Sequence, residues 1–247
     1  MLPRFFAPDL DPSLSEQVLT AEESRHLSRV LRMRAGEEVA LFDGRGREYR
    51  AVVVEPRSAR ARVRLVEQLE TVAEPRVAIT LVQGVLKADA MDSVVRDATM
   101  LGAHTIAPVV TAHTAVSPRQ LGHGRAAVRW HRIAVASAKQ CRRTVVPAVM
   151  EPRPFEAWLA SREPDLSLIF VEPSAVRGGE ASLRQCLGEP SHDKVTLIVG
   201  PEGGWSRAEL DEAVAAGCRP VTLGGLTLRA DAVPIISLAV VRFVLDW

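Results

Sequence analysis

After Pro75 the sequence alternates short apolar runs with helical segments, and this alternation limits the fold more than any other feature. Apolar runs suited to strands lie at residues 77–82, 105–110, 166–171 and 194–199, with a shorter run at 221–223. Helical spacing falls between them, at residues 89–101, 125–142 and 180–187, after Ser206, and from Asp231 onward. Strands that alternate with helices predict an α/β domain around a parallel sheet.

The first 66 residues read differently. Thr20 and Glu23 form a capping-box pattern that predicts a helix over residues 21–33, with Gly36 beyond its end. Residues 38–66 read as strands around a glycine-rich turn at 43–46, which predicts a compact β-barrel. With a polar linker at residues 67–75, the 247 residues divide into domains 1–72 and 73–247.

Charge is unevenly distributed, although the chain as a whole carries +1. Residues 73–150 hold ten basic and four acidic side chains, and no acidic residue lies between Asp97 and Glu151. The first domain has two further basic runs, at residues 25–34 and 57–64. Such clusters suit phosphate contacts, and an ordinary solvated basic face is the alternative.

Several classes of protein lack their signatures here. There is no Walker A loop, zincin motif or nucleophile elbow, and residues 122–127 imitate a dinucleotide fingerprint without the acidic residue it needs. The three cysteines, Cys141, Cys186 and Cys218, suit neither a disulfide framework nor a zinc site, so no metal is predicted. No apolar run approaches the roughly 18 residues of a membrane span, and no secretory signal is visible, so no membrane partner and a cytoplasmic location are expected.

Three loops that follow predicted strands form the candidate ligand site. They begin at Val171 and Glu172, at Gly200, and at Leu223, and the last continues to Leu228 and Arg229. Ligands of open α/β sheets bind beyond the carboxyl ends of the strands, where glycine lets the backbone approach a flat molecule. Spacing alone leaves a ligand site and a set of tight turns equally open.

Residues 197–206 with Glu209, followed by Leu223-Gly224 and Leu228-Arg229, resemble the C-terminal signature of bacterial ribosomal RNA uridine-N3 methyltransferases of the SPOUT class. A second motif resembles that family's PUA-like RNA-binding module, and a third lies mid-chain. Their residues are Arg4-Phe5-Phe6, His26-Leu27, Val30-Leu31-Arg32, Gly36 and Phe42-Asp43-Gly44, then Ala138, Gln140, Arg143 and Pro147.

The resemblance implies an α/β fold with a small N-terminal PUA-like β-barrel and a C-terminal SPOUT domain that contains a deep trefoil knot. It also implies a homodimer and S-adenosylmethionine held in the knot loops. The implied reaction methylates N3 of one uridine of 16S ribosomal RNA near the decoding region, in free RNA or the assembled small subunit.

Site residues follow from the same resemblance. Arg229 would anchor uracil or phosphate. Glu202 or Asp231 would accept a proton; the alternative is that Glu202 braces its loop and Asp231 caps the last helix. The donor would contact Val171, Glu172, Gly200, Pro201, Glu202, Gly203, Leu223, Gly224 and Leu228. The expected RNA contacts are Arg4, Arg25, Arg32, Arg142 and Arg143.

Three departures from the family pattern leave alternatives open. The chain reads Ala230-Asp231-Ala232 where the family commonly has Thr-Glu-Thr, Lys139 where it has Glu, and Met100 where it has an acid. One alternative is a non-catalytic RNA-binding or ribosome-assembly factor with an altered donor loop. Another is a methyltransferase that acts on a different RNA position, such as a ribose 2′-hydroxyl.

Overall fold

The structure, a computed structural model, describes residues 2–57, 59–117, 121–122, 124–175, 183–188 and 193–245. They form two compact units. The first comprises Met1–Glu74 with Val135–Val146, and the second comprises Pro75–Ala134 with Pro147–Trp247.

A curled, open sheet forms the first unit. Its five strands among the described residues are β1 (Arg4–Phe6), β2 (Glu16–Val18), β3 (Glu38–Phe42), β4 (Glu48–Glu55) and β5 (Arg62–Gln68). Their order is β1-β3-β4-β5-β2, and only the β1–β3 pair is parallel. Phe5, Leu27, Leu41 and Val63 are fully buried against one face. The predicted β-rich module is therefore present as a half-barrel rather than a closed barrel.

The predicted helix over residues 21–33 is shorter in the structure. Helix α1 (Ala21–Arg25) passes into a π-helical turn (His26–Val30), in which Leu31 N–H donates to the carbonyl of His26 at 3.0 Å. The hydroxyls of Ser24 and Ser28 bond carbonyls four residues back, which disfavours a regular helix. Arg32 then ends the segment with a φ of 53°.

Only half of the first predicted capping box forms. Thr20 Oγ1 accepts from Glu23 N–H at 3.3 Å. The carboxylate of Glu23 turns away from the helix start and accepts from Phe6 N–H and from Lys139 Nζ. The residue expected to cap a helix is instead committed to a longer-range contact.

The second unit is the predicted parallel α/β domain. Its sheet has seven strands within the described ranges: β6 (Ala78–Gly84), β7 (Thr105–Val110), β8 (Ala148–Val149), β9 (Arg153–Pro154), β10 (Leu166–Phe170), β11 (Lys194–Val199) and β12 (Arg219–Val221). The order is β12-β10-β11-β6-β7-β8, with β9 also on β7, and every pair is parallel.

Six further helices appear in the described part of the chain: α2 (Ala88–Met100), α3 (Arg125–Cys141), α4 (Phe155–Ser161), α5 (Leu183–Leu187), α6 (Arg207–Ala215) and α7 (Val233–Leu245). The helix predicted from Glu180 is α5, and its first three predicted residues, 180–182, lie outside the described residues. The capping box of Ser206 and Glu209 forms fully at α6. No helix within the described ranges combines the length and apolarity of a membrane span.

The sheet order brings the candidate loops together. Strands β12, β10, β11 and β6 are consecutive neighbours, and Phe170 is paired with both Val199 and Val221. Because these strands are parallel, the chain leaves all of them at the same edge. The loops that begin near residues 171, 200 and 222 therefore start side by side.

Candidate functional site

A cavity of about 230 Å³ lies where these three loops meet. Eight of the nine predicted donor contacts line it: Val171, Glu172, Gly200, Pro201, Glu202, Gly203, Leu223 and Leu228. Gly224 is the ninth; it has a φ of 83° and lies outside the lining. The remaining lining residues were not among the nine predicted donor contacts: Phe170, Pro173, Ala175, Val199, Gly204, Trp205, Leu210, Leu226, Ala230 and Val233.

Trp205 packs against the loop 200–204 and is part of the cavity lining. Its indole N–H donates to the carbonyl of Phe170 at 3.0 Å, and its ring packs on Phe155 with centroids 4.8 Å apart. A Cβ atom on Gly200 would lie 3.2 Å from the ring, so the glycine lets the loop cross the indole closely. An aromatic residue directly after two glycines was the sequence signal for this support.

His113 holds the middle of the same loop. Its Nδ1 donates to the carbonyl of Gly203 at 2.9 Å, and a Cβ atom on Gly203 would lie 2.8 Å from the Cβ of His113. The adjacent Ala112 N–H donates to Glu209 at 2.8 Å. A side chain at position 203 would therefore collide with the segment after β7 as well as alter the cavity.

Glu202 is engaged at the start of helix α2. Its Oε1 accepts from the backbone N–H of Lys87, the N-cap residue, at 3.1 Å. The first N–H groups of a helix lack partners inside the helix, and a carboxylate is favoured there. Of the two roles that the sequence analysis left open for Glu202, proton acceptor or brace of its loop, this contact fits the brace.

Arg229 and Asp231 form a two-bond ion pair beside the cavity. Nε and Nη2 of Arg229 donate to the two carboxylate oxygens of Asp231 at 3.0 and 2.8 Å. This hydrogen bonding lowers the pKa of Asp231 and raises that of Arg229. Neither side chain lines the cavity, although Ala230 between them does, and 84% of the Arg229 side chain is exposed. The guanidinium is therefore held at the surface next to the cavity.

The five arginines expected to contact RNA separate into two groups. Arg25, Arg32 and Arg142 are exposed. Two of them have a positive φ: Arg32, as described above, and Arg142, at 67°. Arg4 and Arg143 are buried, with 5% and 8% of their side chains exposed.

Structural contacts explain the two buried arginines. Arg4 binds Glu48 at 2.7 Å and the helix-terminal carbonyls of Ala138 and Lys139, and its guanidinium lies 4.5 Å from the centre of the Phe42 ring. Arg143 binds both carboxylate oxygens of Glu74. Cations are favoured at helix C-termini and beside buried acids. Since neither guanidinium faces solvent, the expectation that these two contact RNA is corrected to a structural role.

Four arginines, one of which is the predicted RNA contact Arg32, share one depression of about 620 Å³ in the first unit. Arg29, Arg32 and Arg34 come from the segment after α1, and Arg57 comes from the turn after β4. Throughout the described residues, none of their guanidinium groups has an ion-pair partner. Arg62 of the same unit, in contrast, pairs with both Glu16 and Glu55. The sequence showed two separate basic runs, and the structure brings members of both together.

Two family models match the chain, one after the other along the sequence. Residues 73–242 match the family model described as an RNA methyltransferase domain, and residues 19–65 match the RNA methyltransferase PUA domain. The chain is 31% identical to ribosomal RNA small subunit methyltransferase E of Synechocystis sp. over 233 residues, which is 92% of this chain and 73% of that protein. The chain belongs to the ribosomal RNA small subunit methyltransferase E family.

Solved structures agree with this assignment. The methyltransferase E of Neisseria gonorrhoeae, bound to S-adenosylmethionine, is 29% identical with a TM-score of 0.86 and covers 99% of this chain and 98% of its own. A Legionella pneumophila methyltransferase in complex with S-adenosylmethionine is 26% identical with a TM-score of 0.88, and 98% of each chain is covered. The family and the methyltransferase activity predicted from the sequence are confirmed.

Proposed function

We propose that this chain transfers a methyl group from S-adenosylmethionine to N3 of one uridine in 16S ribosomal RNA, near the decoding region. Membership of the family makes the chain an S-adenosylmethionine-dependent ribosomal RNA methyltransferase, as predicted. The atom, the base and the position in the RNA are proposals that rest on the resemblance of residues 197–206 and 223–229.

The cavity at the edge of the sheet carries the proposal. Its apolar side chains, Val171, Leu223 and Leu228, suit the faces of an adenine ring, and the backbone of Gly200 and Gly203 is open to close approach. The carboxylate of Glu172, also in the lining, suits ribose hydroxyls. These residues fit the methyl donor, which supplies a methyl group already activated on a sulfonium sulfur.

The polar pair beside the cavity suits the acceptor base. N3 of uridine lies on the Watson–Crick edge and carries a proton, so the base must be unpaired and that proton removed. The exposed guanidinium of Arg229 can stabilise the negative charge on the uracil oxygens. Asp231, whose pKa is lowered by its hydrogen bond with Arg229, orients that guanidinium and is one of the two predicted proton acceptors. Glu202 holds the loop in place through Lys87.

The arginine depression of the first unit suits the RNA backbone. Arg29, Arg32, Arg34 and Arg57 present guanidinium groups that no carboxylate neutralises among the described residues. Unpaired arginines bind phosphate oxygens directly and displace counterions. Arg25 and Arg142 are also exposed and are further proposed RNA contacts.

A homodimer and a deep trefoil knot complete the proposal. Helix α7 exposes a row of apolar side chains at helical spacing, of which Ile236, Val240, Phe243 and Val244 are 38%, 36%, 68% and 47% exposed. A second copy of the chain is the proposed cover, and sedimentation at assay concentration tests it. The three cavity loops would form the knot. It is implied by the resemblance of these loops to the C-terminal signature of the family.

Calorimetric titration of S-adenosylmethionine tests the proposed function first. Ala230→Trp adds an indole to the cavity lining and should abolish saturable binding. Ala208→Trp adds the same group on the exposed face of α6 and should bind the donor like wild type. Mapping of the methylated atom in small-subunit RNA then decides between N3 of uridine and another position.

One observation keeps a second candidate in view. Ala230 lines the cavity where the family commonly has a threonine, so one hydroxyl is missing there. A folded wild-type chain that gives no heat with S-adenosylmethionine would overturn the proposal and favour an RNA-binding or ribosome-assembly factor.

A further inference from the structure

Gln83 lies at the carboxyl end of β6, paired in register with Val199 of β11. Its side chain is completely buried. The residue that follows β11 is Gly200, where the chain enters the cavity loop. Gln83 therefore lies behind the cavity wall and outside the lining.

The amide of Gln83 joins the two neighbouring strands where they leave the sheet. Its Nε2 donates to the carbonyl oxygens of Gly84 at 2.9 Å and Gly200 at 3.2 Å. Both partners are acceptors only, so the NH₂ group must face them. The bond to Gly200 fixes the plane of the peptide between Gly200 and Pro201.

Gly84 brings the same two segments into direct backbone contact. A Cβ atom at this position would lie 2.6 Å from Pro201 N and 2.9 Å from the Gly200 carbonyl carbon. A side chain would therefore force the loop away from β6. The hydrogen bond and the close approach act on the same peptide.

The Oε1 atom of Gln83 has no hydrogen-bond partner in the described part of the chain. A buried acceptor without a partner disfavours the folded state, and an apolar side chain of similar length would avoid that cost. Packing alone does not account for a glutamine here, whereas donation to Gly200 does.

We propose that Gln83 is a positioning residue for the methyl donor, which acts by fixing the Gly200–Pro201 peptide in the cavity wall. The inference rests on the proposed donor cavity. It goes beyond that proposal because Gln83 lies outside the cavity lining and acts on the donor only through the Gly200 carbonyl.

Titration of the full-length chain with S-adenosylmethionine tests the inference. Gln83→Met removes the hydrogen bond and also the unpaired acceptor, so the Kd should rise about threefold to tenfold. The midpoint of thermal unfolding should change little. The KM for the donor should rise by the same factor, while kcat at saturating donor stays within about twofold of wild type, since only donor binding is affected.

Thr99→Val is the matched control. Thr99 is equally buried and donates a side-chain hydrogen bond to a backbone carbonyl, that of Val95 at 2.8 Å, on a helix that does not line the cavity. Donor affinity should be that of wild type.

Gln83→Glu keeps the test decisive if Gln83→Met does not fold. A buried carboxyl without a cation has a raised pKa, and its protonated form can still donate to Gly200. Donor affinity should therefore be close to wild type at pH 6 and fall as the pH rises to 8.5, while wild type stays constant.

Two results overturn the inference alone: a Gln83→Met Kd within twofold of wild type, or a Gln83→Glu Kd that does not depend on pH. Wild-type protein that fails to bind S-adenosylmethionine would instead overturn the proposed function, and the inference with it.

Discussion

The ammonium group of Lys139 donates to both carboxylate oxygens of Glu23, at 2.9 and 2.8 Å, and the two side chains are only 20% and 8% exposed. Lys139 is one of the departures from the family pattern. Its partner Glu23 is the acid that was predicted to complete the capping box at α1 and does not do so. The departure therefore has a structural counterpart within the first unit.

Removing one member of this pair should destabilise the protein strongly. Lys139→Met leaves the Glu23 carboxylate buried, with Phe6 N–H as its remaining partner among the described residues, and we expect a loss of about 3 kcal/mol in the free energy of unfolding. Urea unfolding of wild type, Lys139→Met, Glu23→Gln and the double variant measures the coupling. The double variant should recover most of the loss; simple addition of the two single costs would contradict a coupled pair.

The arginine depression should determine the salt dependence of RNA binding. Arg29→Gln and Arg57→Gln should each lower the slope of log K against log salt concentration by about 0.7, the value for one lost single-strand phosphate contact. Binding of a small-subunit RNA fragment at several salt concentrations gives the slope. Arg62→Gln is the control, because Arg62 is already paired with two acids. Equal slopes in all the variants would place the RNA elsewhere.

Arg229 should affect the reaction more than donor binding. Because its guanidinium lies outside the cavity lining, Arg229→Gln should leave the Kd for S-adenosylmethionine unchanged and lower kcat about 100-fold, the usual cost of a lost electrostatic donor. Single-turnover methyl transfer measures the rate. Arg207→Gln, which breaks the surface pair with Asp211, should retain full activity. A weaker donor Kd with unchanged kcat would contradict the substrate role.

The same pair predicts a pH dependence with a definite sign. The hydrogen bond from Arg229 lowers the pKa of Asp231, so the pair stabilises the fold above the ordinary aspartate pKa, and this contribution is lost as the pH falls through the lowered value. In Arg229→Gln the pKa of Asp231 should rise toward about 3.9. Carboxyl-detected NMR titration measures it, with Arg207→Gln as the unshifted control. An identical Asp231 pKa in wild type and Arg229→Gln would show that the pair does not persist in solution.

Local patterns predicted the parallel sheet and the position of the cavity. Strand and helix periodicities are properties of short segments, so they can be detected in the sequence. Because parallel strands end at one edge of the sheet, the sequence alone placed Glu172, Gly200 and Leu223 close together. The supports of the cavity were missed for the opposite reason. Trp205 bonds a residue 35 positions away and Gln83 one 117 positions away, and no local period encodes such contacts.

The arginines show the limit of reading charge from sequence. Arg4 meets Glu48 across the sheet and is buried, while Arg29, from the basic run at residues 25–34, has no acidic partner in the described structure and stays exposed. Which cation is neutralised depends on strand pairing over tens of residues. Clustering could therefore indicate a basic surface but not its members.

The pairing of β6 with β11 bears on when the protein acquires its donor cavity during synthesis. Ala78 pairs with Lys194, and the lining continues to Val233, so the cavity walls depend on contacts between distant parts of the chain. Contacts with long sequence separation form late because the intervening loop must first be closed. A nascent chain that has not yet reached Val233 cannot complete the cavity. An enzyme that modifies ribosomal RNA would thus remain unable to hold its methyl donor until Val233 has been synthesised.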